Sequence, residues 1–210
     1  MRVIELRSLS VVHGSIRALV NVSAVARPGE VTALAGRNGS GKSTLLGVIA
    51  GTQAFSGTVT GTRGARIAFV VQRSEVPRSL PVTVRDVVTM GRWAHRGSWQ
   101  PLTRTDRAIV TDSIRALGLD GLERRPVHEL SGGQRQRTLV AQGLAQRADV
   151  LLLDEPTAGV DDDTRALIDR AIVAEAARGA VIVHATHDAE VIERAAHVIR
   201  LDAGELVAGR

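Results

Sequence analysis

Short apolar runs rich in Val, Ile and Leu alternate along the chain with longer stretches whose apolar residues recur at helical spacing. VIEL at 3–6, VTALA at 31–35, RIAFVV at 66–71, VLLLD at 150–154, AVIVHAT at 180–186 and HVIRL at 197–201 read as strands. The later runs are almost continuously apolar, the pattern of parallel strands covered on both faces. Helical spacing predicts helices over 43–50, 83–90, 105–117, 134–146, 163–178 and 189–196. Strand and helix in alternation predict an α/β fold, with helices on both sides of a sheet. Between 73 and 146 the helical period runs on with no strand among it. That predicts a helical lobe inserted into a core of about 1–72 and 147–210.

Composition narrows the class. With 210 residues and 44% hydrophobic content the chain can bury a sizeable core as one domain. The absence of cysteine excludes disulfides and thiolate metal sites. No basic flank with an apolar run and cleavage site opens the chain, and no apolar run approaches the roughly 20 residues that cross a bilayer. A cytoplasmic location is therefore expected, with any membrane contact made through a partner or a surface. The formal charge of +5 is spread over scattered arginines, and Phe55, Phe69, Trp93 and Trp99 are the only aromatic residues, so no base-stacking surface is expected and nucleic acid is not an expected partner.

One position stands apart from that charge pattern. Of the 27 basic residues only Lys42 is lysine. It lies in Gly36-Arg37-Asn38-Gly39-Ser40-Gly41-Lys42-Ser43, which fits G-x-x-x-x-G-K-[ST] between a predicted strand and the helix predicted over 43–50. Glycines let main-chain N–H groups turn inward around an anion, and a helix start adds its positive end. A compact ammonium on a flexible stem settles among β- and γ-phosphate oxygens where a planar guanidinium is too large. Gly36, Asn38, Gly39, Ser40, Gly41, Lys42, Ser43 and Thr44 are thus the candidate nucleotide cradle, with the Ser43 hydroxyl available to Mg²⁺.

VLLLD is followed by Glu155 and Pro156, so a buried strand ends in two adjacent carboxylates. Ligands of open α/β sheets bind outside the C-terminal strand ends. Asp154 is expected to face the metal held by Ser43, and Glu155, pointing elsewhere, to hold and deprotonate an attacking water, a role worth about 10²- to 10⁴-fold in rate. The plainer alternative is that the acid pair caps the helix after Pro156. His184 lies on the strand predicted over 180–186 and His187 at its end, three residues on and so on the opposite face of a regular strand, and the two cannot share a metal ion. A packing role is expected for His184 and a polar contact to a terminal phosphate for His187.

A second helix N-terminus, Ser131-Gly132-Gly133-Gln134, offers small residues and open N–H groups without a lysine or acid pair nearby. Alone it reads as a helix cap. With the other motifs it predicts a two-fold dimer in which this segment of one subunit covers the phosphate held by Lys42 of the other.

Taken in order, these motifs resemble the ATP-binding cassette (ABC) ATPases over essentially the whole chain. GRNGSGKS is similar to the family's Walker A motif, LSGGQ to its signature, VLLLDE to its Walker B motif and AGVD at 158–161 to its D-loop. The resemblance implies a P-loop NTPase core with an N-terminal antiparallel β portion and an inserted helical subdomain. It implies that Gln72 contacts Mg²⁺ and water, that His187 is the switch histidine, that Asp161 lines a dimer interface, and that two ATP molecules are sandwiched between subunits with Ser131, Gly133 and Gln134 contributing. Where the family usually has an aromatic residue on adenine, His13 stands, either as a smaller stacking face or as an exposed strand-end residue. Residues 80–106 resemble the helical lobe of bacterial zinc/manganese and iron-chelate uptake ATPases. That likeness implies a homodimer peripheral to the cell membrane, driving integral-membrane permease subunits served by an extracytoplasmic solute-binding protein. The stretch 92–101 carries basic and Trp side chains suited to a membrane subunit or lipid headgroups. The rival readings are a soluble ABC ATPase acting on DNA or the ribosome, and a non-catalytic nucleotide-binding regulatory subunit.

Overall fold

The computed structural model describes residues 2–71, 81–96 and 100–207, the side chains of 94–96 apart. Two compact units divide the chain: Met1–Phe69, Asp149–Glu155 and Val173–Arg210 form the first, Val70–Ala148 and Pro156–Ile172 the second. The helical lobe anticipated at 73–146 falls in the second unit, which also takes in Pro156–Ile172.

The first unit holds strands β1 (Ile4–His13), β2 (Ile16–Ala26), β3 (Val31–Ala35), β4 (Ser56–Thr60) and β5 (Ile67–Val70), the last ending at the boundary, and helix α1 (Lys42–Ala50). Later in the chain it adds β6 (Val150–Asp154), β7 (Val181–Thr186), helix α6 (Ala189–Arg194), β8 (His197–Asp202) and β9 (Glu205–Leu206). An antiparallel sheet has the order β2-β1-β4, and a second sheet the order β5-β6-β7-β3-β8-β9. Within the latter β6, β7, β3 and β8 run parallel, with Val150 opposite Val181 and Val31 opposite Ile182. Every residue of β6 and β7 is buried, as continuous apolar runs require of parallel strands covered on both faces. Leu45, Leu46, Val48 and Ile49 of α1 share one core with Leu34, Leu152, Val181, Val183 and Ala185 of this sheet and with Ile4, Leu6, Leu9, Leu19 and Val22 of the antiparallel one.

Three strands differ from the sequence expectation. β1 runs past Leu6 to His13, because a left-handed residue, Ser8 at φ 49°, shifts the register between Leu6 and Leu9 and breaks the two-residue alternation. In β2 the buried residues Leu19, Val22 and Ala26 are three and four apart, a helical spacing produced by the irregularity near Asn21 at φ 51°. β4, sequence SGTVT, is an edge strand with little apolar signal.

In the second unit α2 (Val84–Arg96), α3 (Arg104–Ala116) and α4 (Gly132–Ala145) pack together, and α5 (Asp162–Ala177) begins there and ends in the first unit. α2 continues well beyond the expected 90 because Arg92 is anchored inside. Its Nε donates to Asp106 Oδ1 at 3.0 Å and its Nη1 to the Ala145 carbonyl at 2.6 Å. Arg92 is 7% exposed, which corrects the expectation that it offers a charge to a partner, whereas Trp93 beside it remains accessible. Trp99 lies outside the described residues. Thr103 caps α3 through Asp106, whose Oδ2 accepts from the Thr103 N–H and hydroxyl. The Thr103 hydroxyl, with help from Arg92 and against the cost of burial, holds the Asp106 carboxyl at about 2, below its ordinary 3.8.

Arg92→Met, which removes the cation beside that buried carboxylate and leaves it the Thr103 hydrogen bonds, is expected to destabilise the fold by about 3 kcal/mol in chemical denaturation at neutral pH. Because the folded pKa of Asp106 lies below the unfolded one, its contribution is complete above 3.8 and disappears as pH falls toward 2. Among the described residues no helix is long and apolar enough to cross a membrane.

Candidate functional site

β3 delivers the chain from the core into the loop 36–41, and α1 begins directly at Lys42. Gly41 stands at the helix N-cap with φ 102° and no side-chain cap hydrogen bond, so the first-turn N–H groups are left for an anion. No acidic residue lies in that turn to oppose one. A Cβ on Gly36 would come within 2.3 Å of Ser40 Oγ and 2.5 Å of the Leu201 carbonyl oxygen, so the cradle closes only around a glycine. Ser40 Oγ is itself buried without a hydrogen-bond partner. A glycine-rich loop running into a helix start that has no side-chain cap fits a phosphate.

The ammonium of Lys42 bridges the loop and the Walker B-like strand end. Its Nζ donates to the carbonyls of Gly36 at 2.8 Å and Arg37 at 3.2 Å, and lies 3.2 Å from Glu155 Oε1. The two side chains are 6% and 7% exposed, so the pair is desolvated. His187 Nδ1 approaches the same Oε1 at 3.6 Å from the rim, where its side chain is 62% exposed. Glu155 thus stands between Lys42 and His187. β6 ends at Asp154 and Glu155 turns to φ 47°, a left-handed conformation costing a non-glycine residue about 1–3 kcal/mol. The Glu155 N–H donates to the Ala185 carbonyl at 3.0 Å, which fixes that turn to β7. The two neighbouring carboxylates consequently separate: Glu155 goes to Lys42 and His187, and Asp154 to the side of Ser43.

Burial pushes the Asp154 carboxyl up and the Glu155 charge adds to the rise, while the Ser43 hydroxyl and the Lys42 charge oppose it. Hydroxyl and carboxylate together form an all-oxygen pair suited to a small hard divalent cation, whose charge would favour the ionised acid. Among the described residues no cluster of three or more His, Asp or Glu side chains forms a metal site.

His184 lies on β7 opposite Ala33 and Leu153 and is 1% exposed. Burial drives its pKa down from 6.5 to about 4, against the opposing pull of Asp188, and the fold therefore holds it neutral. Below about 6.5 the unfolded chain takes up a proton that the fold refuses until about 4. Across that window His184 is expected to contribute a slope of up to ~1.4 kcal/mol per pH unit, stability falling with pH, and His184→Leu is expected to remove it in denaturation curves.

The remaining candidate residues are dispersed. His13 is exposed at the end of β1, paired across the hairpin with Ile16. Gln72 lies outside the described residues. In the second unit Ser131 is the N-cap of α4, its hydroxyl accepting from the Gln134 N–H at 3.2 Å and its own N–H donating to Gln134 Oε1 at 3.1 Å. Gly133 follows in the first turn of that helix. Asp161 accepts from the Thr164 N–H at 2.7 Å at the start of α5. Sequence reasoning missed the neighbours that shape the cradle from outside, Ala18 and Leu201 to Gly204. Only the Ala-Gly of DAGE, a turn signal, pointed toward the latter.

A family model described as ABC transporter matches residues 19–158. The manganese transport system ATP-binding protein MntB of Halalkalibacterium halodurans is 35% identical over 198 residues, covering 91% of this chain and 79% of the relative. The zinc import ATP-binding protein ZnuC of Paracoccus denitrificans is 37% identical over 191 residues, with 89% and 70% covered. A solved ABC transporter described as of metal-chelate type, in an inward-facing conformation, matches at 26% identity with a TM-score of 0.87, over 100% of this chain and 84% of that one.

Proposed function

We propose, on the premise that this chain belongs to the ABC transporter family, that it is a transporter's ATP-binding subunit whose own residues hydrolyse ATP at the Lys42 loop as a two-fold dimer. The line of contacts from Lys42 through Glu155 to His187, beside the Ser43–Asp154 oxygen pair, is the observation that supports this most directly.

ATP is the substrate, its phosphates received by the loop amides and the α1 N-terminus. Lys42 exchanges its carbonyl and carboxylate partners for phosphate oxygens. Ser43 and Asp154 would hold Mg²⁺, which neutralises charge on the phosphates when bound. Glu155 then accepts a proton from the water that attacks the γ-phosphorus, as the bond to the bridging oxygen breaks and ADP leaves. His187, at the rim, donates to the oxygens on which charge accumulates. Gln72 orients the same water, and Ser131, Gly133 and Gln134 of the second subunit close the site.

The cargo is a metal ion or metal chelate, a reading supported by the names of the manganese, zinc and metal-chelate relatives. The subunit then sits at the inner face of the membrane on its permease, with an extracytoplasmic solute-binding protein supplying the metal. Phosphate release by the purified chain tests the catalytic half. It is expected to require Mg²⁺, and its absence in the folded wild-type protein would exclude hydrolysis. Metal accumulation in a strain lacking the gene tests the transport half, with loss of manganese or zinc uptake expected and unchanged uptake excluding that cargo.

A further inference from the structure

The phosphate loop does not stand by itself. The Ser40 carbonyl accepts from the N–H of Gly204 at 3.1 Å, and the Gly204 carbonyl accepts from the N–H of Val20 at 2.8 Å. One residue in the turn between β8 and β9 thereby fastens the loop to β2. Gly204 is buried at φ 85°, and a Cβ there would come within 2.8 Å of the Ala18 carbonyl oxygen. The same carbonyl oxygen would lie 2.7 Å from a Cβ on Gly41, beside the Gly204 Cα at 3.7 Å. At the other end of the loop the Leu201 carbonyl closes on Gly36. The cradle is therefore seated on the β8–β9 hairpin at both ends.

A planar trans peptide points its C=O and the following N–H in opposite directions. Holding the Ser40 carbonyl on Gly204 consequently fixes the Gly41 N–H on the side away from the hairpin. The Ser40 N–H is held on the Arg37 carbonyl and the Gly41 carbonyl on the Leu45 N–H, but neither bond involves the C=O or N–H of the peptide between them, and a glycine at 41 permits that peptide to rotate and present a carbonyl to the anion. We propose that Gly204 is a positioning residue for phosphate binding: its N–H, held in the β8–β9 turn, keeps the Ser40–Gly41 peptide oriented with its donor toward the nucleotide. The proposal rests on the reading of this loop as the ATP phosphate site.

Gly204→Ala, strained at its φ and against Ala18, is expected to raise the Kd and KM for Mg-ATP by roughly ten- to hundredfold, the loss of a charge-assisted donor, with kcat at saturation unchanged. Ala203→Gly is the control. It relaxes a left-handed residue at φ 45° and leaves the Gly204 N–H in place, so Kd stays at the wild-type value. An equal loss of affinity in that variant would assign the effect to turn stability and overturn the proposal, as would wild-type affinity in folded Gly204→Ala.

Hydrogen exchange on the unmodified chain covers the case in which Gly204→Ala does not fold. If the anchored loop binds nucleotide better, nucleotide must in turn strengthen the anchor, and exchange of the Gly204 amide slows by roughly tenfold or more on saturation with Mg-ADP. Unchanged exchange in a protein that binds the nucleotide would overturn the proposal. A wild-type chain that binds no nucleotide would remove the phosphate-site reading instead.

Discussion

Glu155→Gln is expected to leave a folded protein that binds Mg-ATP and hydrolyses it about 10²- to 10⁴-fold more slowly, the usual worth of a positioned general base. The substitution keeps the shape of the side chain and removes the one property that the proposed step uses, the ability to take a proton. Geometry sharpens the expectation. Glu155 Oε1 lies 3.2 Å from the Lys42 ammonium and 3.6 Å from His187 Nδ1. In the nucleotide-free arrangement the carboxylate therefore competes with phosphate for Lys42. Replacing it by a neutral amide weakens the competitor, so ATP affinity stays level or rises while turnover falls. In a two-fold assembly closed by ATP, that combination holds the closed dimer. Single-turnover phosphate release together with light scattering in ATP reads both halves. Wild-type turnover in the variant would remove Glu155 as the base. A slow variant that stays monomeric in ATP would keep the base and remove the proposed dimer.

Legibility in the sequence followed the regularity of the backbone. β3, β6 and β7 were readable because parallel strands covered on both faces leave continuous apolar runs, β8 because its buried Ile199 and Leu201 alternate with exposed residues, and Lys42 to Ala50 because a glycine-rich loop between strand and helix has few other uses. β2 was hidden because its irregularity puts Leu19, Val22 and Ala26 on one face at intervals of three and four, so no two-residue alternation marks it as a strand. Arg92 was misread for a related reason. An arginine next to tryptophan and further basic residues looks like surface, and only the packing of α2 with α3 and α4 brings it to Asp106 and the Ala145 carbonyl. In the site, the divergence of Asp154 and Glu155 was foreseeable from strand geometry. The partners they reach depend on the left-handed turn at Glu155, a choice that local propensity disfavours and its hydrogen bond to Ala185 holds. Backbone contacts such as Gly204 with Ser40 leave almost no residue-type signature beyond a glycine.

Lys42→Arg is expected to lower Mg-ATP affinity by roughly 10²-fold, about 2.7 kcal/mol, although it conserves the charge. The ammonium is 6% exposed and already fits among the Gly36 carbonyl at 2.8 Å, the Arg37 carbonyl at 3.2 Å and Glu155 at 3.2 Å. A guanidinium is broader and planar, cannot gather three acceptors around one nitrogen, and prefers to engage a carboxylate with two parallel hydrogen bonds. In Lys42→Arg it would crowd the loop and bind Glu155 more firmly than lysine does, strengthening the empty arrangement at the expense of the occupied one. Lys42→Met, which removes charge and donors together, sets the scale: the arginine variant is expected to recover little of what methionine loses. Titration calorimetry with Mg-ATP on the three proteins separates the terms. If the arginine variant binds as wild type does, charge alone serves the phosphates, and a chain otherwise built on arginine would have no physical need of its single lysine.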